Sequence, residues 1–115
     1  MVEQNYIYTI DVAHPSRKPE QVEEILQNVL LMIRNHSYLR VIKVIHGSGK
    51  GLGSNTRETV RNWLYVNRAQ FEAVVNGEDY SVLRPEIQEL RSQCGKINDR
   101  DLDNQNWGIT IAWVK

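Results

Sequence analysis

The stretch Val41-Ile42-Lys43-Val44-Ile45-His46-Gly47-Ser48-Gly49-Lys50-Gly51 constrains this chain more than any other. Its first five residues form a nearly continuous apolar run, which suits a strand covered on both faces, as in a β-α-β unit. A histidine closes the run. Glycines at 47, 49, 51 and 53 then permit positive φ and close approach of the backbone to a ligand. Asn55 followed by Glu58 has the spacing of a capping box and marks a helix start. A strand that ends in a glycine loop opening a helix leaves backbone N–H groups free at a sheet edge. That arrangement suits a phosphate, carried by a nucleotide, a nucleic acid or a phosphorylated metabolite.

The flanking sequence supplies the remaining elements. Residues 6–12, rich in Tyr, Ile, Thr and Val, read as a first strand. Pro19 fits the first position of a helix, and Val22, Ile25, Leu26, Val29, Leu30 and Ile33 give it one apolar face to about Asn35. Val60, Trp63 and Leu64 give the second helix its face. Residues 71–75 read as a strand broken by Asn76-Gly77. Leu83, Ile87, Leu90 and Cys94 fit one side of a short helix, with Pro85 near its start and Gly95 beyond its end. The polar stretch 97–106 reads as a mobile loop, and 107–114 as a closing strand. The expected fold is a single two-layer α/β domain over 1–115, in the order β-α-β-α-β-(α)-β, with a mixed four-stranded sheet and an acidic insertion at about 76–106. Right-handed crossovers make the first two strands parallel, so Asp11, His14 and the glycine loop converge on one sheet edge, where open α/β sheets bind ligands.

With 115 residues, 41% of them hydrophobic and 24% charged, the chain has the composition of one globular domain. Cys94 is its single cysteine, so no internal disulfide forms, and no Cys/His cluster has zinc spacing. No apolar run reaches the ~20 residues that span a bilayer, and the first residues lack the pattern of a secretory signal. A cytoplasmic protein is expected. The formal net charge is zero, against a strongly basic nucleic-acid binder. The charge is uneven, however: residues 34–68 hold seven bases and one acid, whereas 69–103 hold eight acids and four bases. The positive excess brackets the glycine loop.

The loop fails two common nucleotide patterns. Gly49-Lys50 is followed by Gly51 where a Walker A loop needs Ser or Thr, and Val44 stands where it needs glycine. A dinucleotide G-x-G-x-x-G fails at Leu52 or at Ser54, depending on where it starts. The run His46-Gly47-Ser48-Gly49-Lys50-Gly51 instead resembles the His-Gly-x-Gly loop of the Smr (small MutS-related) domain family. Ile10-Asp11-Val12 resembles the start of that family's Leu-Asp-x-His motif, and residues 108–114 resemble its closing strand. The likeness covers about 6–75 and 107–115. It implies a fold like the C-terminal domain of the bacterial initiation factor that binds the small ribosomal subunit. It further implies binding of structured DNA or of RNA, with endonuclease or nicking (hydrolase) activity in some members. The chain departs from the family at Ala13, which occupies the place of the first motif's histidine. His14 follows one residue later and precedes Pro15. A one-residue shift reverses a side chain on a strand, but a turn past the strand end can re-aim it.

These readings name the candidate residues. His46 is a general acid or base, since an imidazole exchanges protons near neutrality. Asp11 orients an imidazole or holds a divalent cation such as Mg or Mn, and His14 is a second catalytic candidate. Gly47, Ser48, Gly49, Lys50, Gly51, Arg57 and Arg61 are candidates to hold phosphate. Trp63, Trp107 and Trp113 are expected in packing. Two alternatives stand beside a nuclease: a binding-only module that has lost cleavage, and a protein-interaction domain docking through 76–106.

Overall fold

The computed structural model describes residues 4–49 and 55–115. Its elements follow the expected order: β1 (Ile7–Asp11), α1 (Pro19–Arg34), β2 (Val41–Ile45), α2 (Asn55–Val66), β3 (Phe71–Asn76), α3 (Pro85–Cys94) and β4 (Ile109–Val114). Short 3-10 turns at Arg68–Gln70 and Gly77–Asp79 flank β3. The sheet order is β1-β2-β4-β3. β1 and β2 are parallel, with Ile7 opposite Val41 and Asp11 opposite Ile45, and β4 runs antiparallel to both β2 and β3. The C-terminal ends of β1 and β2 therefore share one edge with the start of β4.

The apolar alternation of each strand explains the layers, because side chains of period two point to opposite faces. Ile42, Val44, Ala112 and Val114 pack with Leu26, Leu30 and Ile33 of α1 and with Val60, Trp63 and Leu64 of α2. Val41, Ile109, Ile111 and Trp113 face the other way, against Ile87 and Leu90 of α3 and against Tyr80. The sheet is thus covered on both faces, one face more than a two-layer arrangement provides. The apolar side of α3 is consumed by this packing, which leaves only Val82 and Leu83 exposed near its start.

Residues 97–106 form a loop, as expected, and side-chain contacts tie it to the sheet. The segment lies against β2 because Lys43 needs it. Lys43 is 7% exposed, and its ammonium sits 2.6 Å from Asp99 and 2.8 Å from Asp101. The Tyr80 hydroxyl donates to Asp99 at 2.8 Å, and the Asn106 amide donates to the other Asp101 oxygen at 3.0 Å. A buried charge must be paired and hydrogen-bonded, and the acidic segment does this for the central strand.

Candidate phosphate site at the sheet edge

The loop after β1 is built around Asp11. Its Oδ1 accepts the backbone N–H groups of Ala13 and His14 at 2.9 and 3.0 Å, and its Oδ2 lies 3.0 Å from Nδ1 of His14. β1 ends at Asp11, so the turn re-aims His14 back onto the carboxylate despite its shifted position. Burial raises the Asp11 carboxyl, but the Ala13 N–H and the His14 ring outweigh it and hold it below the usual carboxylate range. The His14 side chain is 77% exposed. Arg17 closes the turn by donating to the carbonyls of Asp11 and Pro15. Ser16 and Arg17 then share a small cavity with Asn55, Thr56 and Thr59 of α2, so the first loop abuts the start of the second helix.

His46 is 2% exposed and lies on the α2 side of the sheet. Its Nδ1 is 2.7 Å from the Gly47 carbonyl oxygen, which fixes the proton on that nitrogen. Its Nε2 is 2.8 Å from the Thr110 hydroxyl. Nε–H of Arg61 donates to that same oxygen at 3.0 Å, so the hydroxyl gives its own proton to His46. Burial drives the imidazole's pKa down, and the Arg61 and Arg57 charges reinforce it against the Gly47 carbonyl and Glu78, leaving it at about 4. The ring is neutral at pH 7, both nitrogens are engaged, and it forms the floor of the loop.

Arg61, a candidate phosphate ligand, is engaged within the fold. It pairs bidentately with Glu78 at 2.8 and 3.0 Å and donates to the Ile109 carbonyl. Burial raises Glu78, but Arg61 more than compensates and holds it below the usual carboxylate range. Lys43 is likewise neutralised, and Arg40 donates to the carbonyls of Ile33 and His36. The positive excess of residues 34–68 is therefore spent partly on structure and does not form one continuous basic face.

The residues left to meet a ligand are Gly47, Ser48, Gly49 and Arg57. Gly47 and Gly49 have φ of 85° and 86°, the left-handed region that favours glycine. The Arg57 guanidinium lies over Gly49 so closely that a Cβ there would stand 2.8 Å from its central carbon. Arg57 makes no hydrogen bond or ion pair with the described residues, so its charge is available. Lys50 and Gly51 lie outside the described residues.

Trp107 is the residue that the sequence assigned to packing and the structure does not. It is 56% exposed, while Trp63 and Trp113 are buried. It stands before β4, beside Gly108, whose carbonyl accepts the N–H groups of His46 and Gly47 at 2.9 and 3.1 Å. Those two bonds tie the turn carrying Trp107 to the glycine loop, and Ser48, Gly49, Arg57 and Trp107 line one open cavity of about 460 Å³. The signal available in the sequence was the polar company of Trp107, between Asn106 and Gly108.

The described residues do not fit a divalent cation here. No group of three or more His, Cys, Asp or Glu side chains among them is placed to hold a metal, and both oxygens of Asp11 are already occupied by donors. No described helix is long and apolar enough to cross a membrane. Comparison with family models, with curated proteins and with solved structures finds no match to this chain.

Proposed function

We propose that this chain is a nucleic-acid-binding module of the Smr type, which grips a phosphodiester backbone at the glycine loop and the start of α2. The observation that carries this reading is the Arg57 guanidinium lying over Gly49 with no hydrogen bond or ion pair among the described residues. A positive charge, two left-handed glycines and a helix start stand together at the C-terminal edge of the parallel strands. The buried, neutral His46 favours binding over cutting at this loop.

The test is a titration of labelled DNA and RNA at several salt concentrations. In the double variant Lys50→Gln/Arg57→Gln, affinity is expected to fall by a similar factor for every sequence. The slope of log K against log salt is expected to drop by roughly two, about one per lost phosphate contact. An unchanged slope, or no binding by the wild type, would reject the proposal.

One observation favours a second reading, cleavage. The carboxylate of Asp11 holds Nδ1 of the exposed His14 and leaves Nε2 with no partner among the described residues. A carboxylate-oriented imidazole of this kind can take a proton from an attacking water or return one to a leaving oxygen. Supercoiled plasmid and structured RNA are the substrates to try. His14→Ala is expected to lower cutting about 10²–10⁴-fold while binding persists; equal cutting by this variant removes His14 from the chemistry.

A further inference from the structure

A large aromatic side chain left in water needs a reason when it borders a polar cavity. Trp107 does so on a turn that is held from three directions. The Gly108 carbonyl is bonded to the glycine loop, and the Gly108 N–H donates to the Asn106 side chain at 2.9 Å. Beneath the turn lies Gly77, where a Cβ would come within 2.0 Å of the Asn106 carbonyl oxygen. The anchored turn therefore presents the indole on the cavity that Arg57 also lines. Its flat face can take another flat π-system, and the adjacent guanidinium can take an anion. A nucleotide unit of a polynucleotide carries both groups. In a duplex the base faces are already stacked on each other and out of reach, whereas an unpaired base offers its face freely.

We propose that Trp107 is a stacking platform for an unpaired base, with Arg57 holding the adjoining phosphate and Ser48 and Gly49 forming the facing wall, so that the module prefers single strands or unpaired loops to duplex. This rests on the nucleic-acid reading above and adds the class of strand recognised. The pocket falls in the size range of small-ligand sites.

Trp107 also supplies the readout, because it is the exposed member of three tryptophans. The full chain is titrated with single-stranded oligo-dT and oligo-rU, with a duplex of matched length, and with a free mononucleotide, following tryptophan emission and, separately, the anisotropy of labelled strands. Single strands are expected to quench the emission strongly. Trp107→Ala should abolish the quench and weaken single-strand binding about five- to hundredfold, as loss of one base–aromatic stack does. Its duplex affinity should move by less than about twofold, the strands' phosphate contacts being intact. Trp107→Phe keeps a ring and should restore most of the affinity without the quench. Equal losses on single strand and duplex, a quench that survives in Trp107→Ala, or a mononucleotide that binds as tightly as the strand would each overturn the proposal. Failure of the wild type to bind any nucleic acid would overturn the underlying reading instead.

Discussion

Lys43→Ala is expected to destabilise the protein by about 3–5 kcal/mol, a large part of the ~5–15 kcal/mol that holds a typical domain together. The ammonium at the middle of β2 makes the only ion pairs with Asp99 and Asp101 among the described residues, and their side chains are 6% and 13% exposed. Without it, two carboxylates remain under the sheet, close to one another and short of a donor. The backbone N–H of Asp101, which donates to Asp99 at 3.1 Å, cannot replace a full charge. Removing all three charges together is a different experiment. In Lys43→Met with Asp99→Asn and Asp101→Asn no buried charge is left, and most of the loss should be recovered. Urea denaturation midpoints of the two variants measure the difference. A loss below about 1 kcal/mol in Lys43→Ala would mean that water reaches the pair and screens it.

Acidification is expected to produce a second large loss, of roughly 3 kcal/mol between pH 7 and pH 4, from His46 alone. In the unfolded chain this imidazole protonates near pH 6.5, whereas in the fold it resists protonation down to about 4. The unfolded state therefore binds the proton more readily. The stabilisation is complete above 6.5, declines as pH falls through the window, and is gone below 4. The groups facing the ring explain the resistance. Protonation would place a hydrogen on Nε2 against the Thr110 hydroxyl, which already accepts from Arg61, and would add a third positive charge beside Arg61 and Arg57 with only Glu78 in opposition. A His46→Gln variant cannot titrate, so its stability should be nearly flat across this window even if it is lower throughout. Carboxylates stabilised by pairing, such as Asp101, lose their contribution only at lower pH, because burial raises that group but Lys43 and Asn106 hold it below 3.8. Chemical denaturation at half-unit pH steps separates the two effects. A His46→Gln profile as steep as the wild type's would assign the acid loss to other groups.

Much of the fold was legible because it is written in local periods. The alternation in β1 and β4, the unbroken run of β2 and the i, i+3, i+4 face of α1 are each read within a dozen residues. The glycine loop was legible for the same reason, since strand, loop and helix start are contiguous. What was not legible depends on residues far apart in sequence. Lys43 looks like a solvated base beside the loop until Asp99 and Asp101 arrive from more than fifty residues away. His46 looks like an open imidazole until Thr110 and Arg61 close over it. Arg61 looks free until Glu78 is beside it. In each case a titratable group was read from its neighbours in the chain, while its state is set by its neighbours in space. Trp107 failed in the opposite direction: a residue type that usually packs was left in water because the β4 pairing begins only at Ile109.

The position of β4 has a consequence for how the protein comes to exist. It is last in sequence but lies between β2 and β3, which do not pair with each other. Until it is in place the sheet is two pieces, and pairing Val41 with Trp113 closes a long stretch of chain, a slow kind of contact to form. The same strand supplies Thr110 to His46, and the residue just before it supplies the carbonyl that holds the glycine loop. A chain interrupted before Gly108 contains every residue of that loop yet neither of these two partners that shape it. Completion of folding and assembly of the ligand-facing surface are thus one event, and incomplete chains carry the motif without presenting it.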